Sequence, residues 1–381
     1  MNLFDYLEWR GDVPFSVDPF NEADNMVLSE LAYTKLGGIV PGDGTAVPIR
    51  DVCTQFFTLH TTEEVLAEKN YTAKAALMMP LMAEGARFRD TRMCLYSEET
   101  SEEAGMQFAA VTFLLGDGSV FAAFRGTDGT LAGWKEDFRF SYLSGTEGQL
   151  RAAEYLSLTG LRNPGVIRTG GHSKGGNLAV YAAACCDPRV QERIEAVWDN
   201  DGPGFRPEFL ESEGYRRIRS RITFLVPEKS VIGMLMDLSV EPKVVKSIAG
   251  GAVQHDGFTW QVRRNRFEEG TLSETSRVVN RMLDGWMEQM SDSAREELTE
   301  NVFALLGATG AETIEEMNGQ RLKTVVGIMN TAMEMPRENK QEMGSLMSLL
   351  KASGKQAAAD VLQELAAEKL HAVFNRGSNE K

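Results

Sequence analysis

Residues 171–175 read Gly-His-Ser-Lys-Gly. A β-prone run, Val166-Ile167-Arg168-Thr169, precedes them, and a run of small apolar residues, Leu178-Ala179-Val180-Tyr181-Ala182-Ala183-Ala184, follows. Few folds accept that order. A strand that turns into a helix within five residues leaves little room for a Cβ at the turn, so glycines flank the serine. The turn lifts the Ser173 hydroxyl clear of the sheet. The helix start behind it aims backbone N–H groups and a positive dipole end at charge developing on a bound carbonyl. The five residues alone also fit a Gly-rich loop without chemistry; the flanking strand and helix favour an exposed nucleophile.

The rest of the chain supports a sheet covered by helices. Helical spacing of apolar residues marks 21–36, with Asn21 or Asp24 as cap, then 49–57, and a third helix over 73–86. Two β-prone runs, 107–115 and 120–124, are split by Gly116-Asp117-Gly118-Ser119, a hairpin signal. A helix near 148–158, the Ser173 strand and helix, and strands at 194–198 and 221–226 then alternate, which predicts a parallel sheet extended by the antiparallel hairpin. Beyond about Leu272 the texture becomes helical, with a stripe of Val278, Val279, Met282, Leu283 and Trp286. The expected division is therefore 1–268 for the sheet-bearing domain and 269–381 for a helical region, whose Met-rich stripes read as core. That region also offers a face for a protein partner or a second copy of the chain.

Composition narrows the function classes. With 55 acidic and 40 basic residues the formal charge is −15, which argues against nucleic acid and anionic membrane surfaces as partners. The N-terminus lacks a secretory pattern, and the apolar run 231–236 is too short to span a bilayer. Cys53, Cys94, Cys185 and Cys186 show no metal or redox spacing and read as buried or half-buried thiols, so a cytoplasmic setting is expected. No metal or organic cofactor is implied.

A serine nucleophile needs a base, an orienting acid and oxyanion donors. Of four histidines, His60 precedes Ser173, His172 adjoins it with its side chain directed elsewhere, and His371 is spaced as an exposed residue of the last helix. His255, in a loop after the last β-prone run, is the base that remains. Glu228 follows the second strand after the serine and is the favoured acid. Asp201, in Asp199-Asn200-Asp201-Gly202, is next, and Asp256 adjoins His255 too closely to reach its far nitrogen. The N–H of Lys174 supplies one oxyanion donor, and Thr127, ending Phe124-Arg125-Gly126-Thr127, is placed to supply another. The Lys174 side chain is expected to pair with a nearby carboxylate. The loop 231–236 lines an acyl pocket, forms a lid or packs in the core, and Trp260 reads as a strand residue or core anchor.

Taken together, Phe124-Arg125-Gly126-Thr127, Gly133-Trp134-Lys135-Glu136-Asp137-Phe138 and Gly171-His172-Ser173-Lys174-Gly175-Gly176-Asn177-Leu178-Ala179 resemble the pattern of class 3 lipases. The segments 19–24, 201–205 and 254–256 extend a likeness to an uncharacterised bacterial branch of that superfamily over most of 1–262. The resemblance implies an α/β-hydrolase fold with a mixed, mostly parallel sheet. It also implies Thr127 as an oxyanion donor supported by Trp134 and Asp137, and lipase-like machinery without naming a substrate. Class 3 lipases set the triad acid by a Val-Pro turn, here Val226-Pro227. Depending on a gap, that acid falls on Glu228 or on Ser230, and in the second case it is missing or comes from elsewhere. Three functions follow: a serine esterase acting on a small-molecule or lipid ester, an inactive hydrolase fold whose helical tail docks a partner, or a thioesterase or peptidase that shares the same machinery.

Overall fold

The computed structural model describes residues 1–67, 71–101, 105–127, 131–274, 276–277, 280 and 290–307. Helices α1 (Leu3–Arg10) and α2 (Glu22–Leu31) come first, then strand β1 (Val47–Pro48) and helices α3 (Ile49–Leu59), α4 (Thr62–Ala67) and α5 (Met78–Glu84). Strands β2 (Arg92–Ser101), β3 (Met106–Leu114) and β4 (Val120–Phe124) precede helices α6 (Leu131–Arg139) and α7 (Glu147–Arg162). Next are β5 (Ile167–His172), α8 (Lys174–Cys185), α9 (Pro188–Gln191), β6 (Ile194–Asn200), α10 (Pro207–Leu210) and α11 (Glu213–Ile218). Strands β7 (Ile222–Pro227) and β8 (Lys243–Val245), a ribbon of β9 (Val262–Arg263) and β10 (Arg266–Phe267), and helix α12 (Asp292–Gly307) complete the described elements.

Strands β1 to β8 form one sheet in sequence order. Neighbours from β1 to β4 are antiparallel and those from β4 to β8 parallel. Right-handed crossovers between consecutive parallel neighbours place their helices on one face. That face packs against α7, α8 and α11. The N-terminal helices α1, α2, α3 and α5 cover the opposite face, so both sides of the sheet are buried. Strand alternation divides the side chains between the two cores: Phe121 and Ala123 point to the N-terminal helices, Ala122 and Phe124 to α7 and α8. This is an α/β-hydrolase-like architecture, with the carboxyl ends of the parallel strands free to build a site.

The expected elements are present with shifted limits. Helix α2 stops at Leu31; its start is fixed by a capping box in which Asn21 and Asp24 both take part. The helix expected over 73–86 is split into a 3₁₀ segment, Tyr71–Leu77, and α5, because Pro80 has no N–H to give and sits within the first turn of a new helix. Strand β2 was not foreseen: only its first half is buried and its polar second half, Ser97 to Ser101, alternates weakly. Trp260 is a core anchor rather than a strand residue, fully buried with its indole N–H donating to the Gln254 carbonyl at 2.8 Å. Cys185 departs from expectation. It ends α8 on the solvent side and is exposed, whereas Cys94 and Cys186 are buried.

Helix α12 is docked by charge. Glu300 meets Lys135 and Arg139 of α6 at 2.6 and 3.2 Å, and Asp292 meets Arg206 at 2.8 Å. The expected stripe of Val278, Val279, Met282, Leu283 and Trp286, and His371, lie outside the described residues. Among the described residues no helix is long and apolar enough to cross a membrane.

Candidate functional site

Ser173 joins β5 to α8 with φ 57° and ψ −133°, a left-handed backbone that a residue with a Cβ adopts at a cost of about 1–3 kcal/mol. Its own N–H donates to the Asn200 carbonyl at 2.9 Å, and its carbonyl accepts from Gly176 at 2.8 Å, which fixes the turn from both sides. The flanking glycines are obligatory. A Cβ on Gly171 would stand 2.6 Å from the Phe124 carbonyl oxygen, and one on Gly175 2.9 Å from the Phe124 carbonyl carbon. Both obstacles are backbone of β4, the neighbouring strand.

His255 ends a 3₁₀ turn, Gly251–His255, with its side chain 25% exposed. Its Nδ1 lies 2.6 Å from Oδ2 of Asp201, a carboxylate whose side chain is 1% exposed. A carboxylate only accepts, so Nδ1 carries the proton and Nε2 is left with a lone pair. Asp201 follows β6 with φ 58°. Its N–H donates to the Leu225 carbonyl at 2.8 Å, while Asp199 Oδ1 accepts from Gly202 N–H at 2.7 Å and closes the turn. The remaining Asp201 oxygen, Oδ1, accepts from the Ser230 hydroxyl and from Gly233 N–H, the latter at 3.2 Å. The loop 231–236 thus takes part through its backbone, by anchoring Asp201.

Asp201, not Glu228, meets the imidazole. Glu228 leaves the end of β7 toward the chain beyond β10, where its Oε1 accepts from Thr271 N–H at 3.4 Å and its carbonyl from Ser273 N–H at 2.7 Å. The expectation for Glu228 is corrected on that geometry. Ser230 stands at the other position the Val-Pro turn allowed, and its hydroxyl supports the carboxylate that comes from the end of β6.

His255 lies at the end of the sheet where β5 gives way to Ser173. His172, the last residue of β5, approaches His255 with ring centroids 4.6 Å apart. A Cβ on Gly202, next to Asp201, would stand 2.6 Å from the Ser173 carbonyl oxygen. On the same measure a Cβ on Gly126 would stand 3.2 Å from the Ser173 Cβ, so the loop after β4 also lies against the serine.

That loop carries Thr127, whose hydroxyl donates to Asp137 Oδ2 on α6 at 2.8 Å. The hydroxyl is therefore engaged as an anchor. Asp137 Oδ1 is buried without a partner among the described residues, and burial pushes this carboxyl up to about 7, with the positive charge of Lys174 opposing. Lys174 opens α8, so its N–H points out of the helix start. Its ammonium is buried and meets Glu136 Oε2 at 3.0 Å and the Gln107 carbonyl at 2.6 Å, a structural pairing as expected. Glu136, which the sequence reading did not single out, also accepts from Thr146 Oγ and Gly148 N–H, both at 2.9 Å, and so ties α6 to the start of α7. The Trp134 side chain lies outside the described residues.

Among the described residues no cluster of three or more His, Cys, Asp or Glu is arranged to hold a metal ion. The arrangement brings together a strained serine, an oriented imidazole, and the chain around the Lys174 and Thr127 backbone N–H groups.

No curated protein matches the chain. A solved structure, that of M37 lipase, aligns with it at 14% identity and a TM-score of 0.36, covering 57% of this chain and 70% of that one. Over residues 82–304, more than half of its length, the chain matches the model of the Mbeg1-like family, and it belongs to that family.

Proposed function

We propose that the protein is a serine hydrolase that cleaves carboxylic esters, lipid esters among them. Ser173 Oγ attacks the acyl carbonyl, and His255 Nε2 takes the hydroxyl proton. Asp201 holds the imidazole in the tautomer that leaves Nε2 free and stabilises the imidazolium that forms. The oxyanion is received by the N–H groups of Lys174 and Thr127, each such donor being worth about 3 kcal/mol in the transition state. His255 then returns the proton to the leaving alcohol, and water, activated by the same nitrogen, releases the acid from the acyl-enzyme.

The observation that carries this reading is the 2.6 Å bond from His255 Nδ1 to a buried Asp201, set beside a serine in a left-handed turn. Buried carboxylate, histidine and strained serine have no reason to converge for packing alone; each costs stability.

The test is a fluorophosphonate probe together with nitrophenyl esters from acetate to palmitate, applied to the full chain and to Ser173→Ala. Labelling and turnover are expected in the former and neither in the latter. Ester cleavage that survives the substitution refutes the nucleophile.

A further inference from the structure

Behind the His255–Asp201 pair lies a second histidine–carboxyl pair, His172 and Glu30, which the hydrolytic steps leave unused. Both side chains are fully buried. His172 Nε2 lies 2.7 Å from the His255 carbonyl oxygen. A carbonyl only accepts, so Nε2 carries the proton. On the other side of the ring, Nδ1 meets the Tyr33 hydroxyl at 3.3 Å and Glu30 Oε1 at 3.5 Å. Neither Glu30 oxygen has a hydrogen-bond partner among the described residues. Glu30 belongs to α2 and Tyr33 follows it, and the close approach depends on Gly257: a Cβ there would strike both Glu30 Oε1 and the Met26 methyl.

The charge state of this pair matters to its neighbour. The two imidazoles are 4.6 Å apart, and His255 becomes a cation each time it accepts the serine proton. A cation on His172 would oppose that step. Burial disfavours charge on both members. It drives the Glu30 carboxyl well above the usual range, with the Asp256 charge adding and Lys74 opposing, and it holds the His172 imidazole well below its ordinary value. The ionisable groups around the pair are Tyr33 beside α2, His255 and Asp256 from the base loop, and Lys74 from the 3₁₀ segment, 3.9 Å from Asp256.

We propose that His172 is a positioning residue for His255: its Nε2–H clamps the His255 main chain, while Tyr33 and Glu30 on the Nδ1 side hold the ring in that orientation. This rests on the reading of His255 as the general base.

The chain has four histidines, so ¹⁵N spectra of histidine-labelled protein are assignable by single substitutions. His172 is expected to show the neutral Nε2–H tautomer without titrating between about pH 5 and about pH 9. Glu30→Gln is expected to preserve that signature, because an amide facing Nδ1 carries no charge that would draw the proton there. In ester hydrolysis, His172→Phe keeps the ring volume but removes the donor; kcat is expected to fall about 10- to 100-fold with KM changed by less than about twofold. His172→Gln, whose amide N–H reaches the same carbonyl, is expected to restore kcat to within about fivefold of the wild type. The proposal is overturned if His172 titrates in that range or carries its proton on Nδ1. It is equally overturned if folded His172→Phe matches the wild type, or if folded His172→Gln is impaired tenfold or more, about as far as the Phe variant is expected to be. If His172→Phe does not fold, the spectra and the Gln variant decide. If the wild type cleaves no ester while Ser173 also resists the probe, the hydrolase reading fails, and the spectra alone still uphold or overturn the clamp.

Discussion

Replacing Asp201 by asparagine changes one atom and reverses a tautomer. In the folded chain Oδ1 faces two donors, the Ser230 hydroxyl and Gly233 N–H, while Oδ2 faces His255 Nδ1. The asparagine NH₂ cannot point at two donors, so its oxygen takes the Oδ1 position and its nitrogen faces His255. That nitrogen donates, so Nδ1 must become the acceptor and the imidazole proton moves to Nε2. A base protonated on the side of its substrate cannot accept a proton. A tautomer error of this kind lowers kcat by about 10⁴, or about 5 kcal/mol of transition-state stabilisation at ~1.36 kcal/mol per tenfold. The assay is nitrophenyl ester hydrolysis near neutral pH, with thermal melts to show that the variant folds. Glu228→Gln is the control and should retain activity within about twofold, since among the described residues Glu228 hydrogen-bonds only to backbone beyond β10. An Asp201→Asn enzyme within tenfold of the wild type, or a Glu228→Gln enzyme that fails as badly, refutes the reasoning.

The remaining predictions concern stability. Asp137 holds its proton in the fold up to about 7, against about 4 when unfolded, so between those values the native state binds more protons and stability falls as pH rises. Asp137→Asn removes that slope: its Tm relative to the wild type should be unchanged near pH 4 and clearly raised near pH 8, and parallel Tm-against-pH curves would contradict this. Lys174→Met strands the buried Glu136 carboxylate without its cation and is expected to cost about 3 kcal/mol, read as a fall in denaturation midpoint. Adding Glu136→Gln should recover part of that loss, whereas strictly additive losses would show that the two side chains do not act as a pair.

Much of the architecture was legible because its signals are local. Gly171 and Gly175 mark the tight turn, and Gly116 to Ser119 mark the β3–β4 hairpin at which the sheet passes from antiparallel to parallel pairing. The orienting acid was not settled, because that choice depends on where two loops travel. Asp201 and Glu228 both follow strands and both read as loop carboxylates. Asp201 turns toward His255 through the Asp199–Gly202 contact and a left-handed φ, whereas Glu228 is drawn off by Thr271 and Ser273. The back wall was hidden for a different reason. On α2, Asn25, Ser29 and Glu30 look like the solvent face of an amphipathic helix, yet all three are fully buried against the sheet. Only their long-range partners reveal this, such as the Asn25–Asn200 amide pair at 2.8 Å.

Nine of the ten residues of α2 are buried, and with α1, α3 and α5 it covers one side of the sheet, including Val111, Phe113, Phe121 and Trp198. The family match begins only at residue 82. A gene product trimmed to start there would bare that whole apolar wall to water and take Asp24 away from the buried guanidinium of Arg87, whose Nε now donates to it at 2.6 Å. It would also delete everything that stands behind His172. Recombinant protein should therefore keep residues 1–81, since the family match spans less of the chain than the packed unit does.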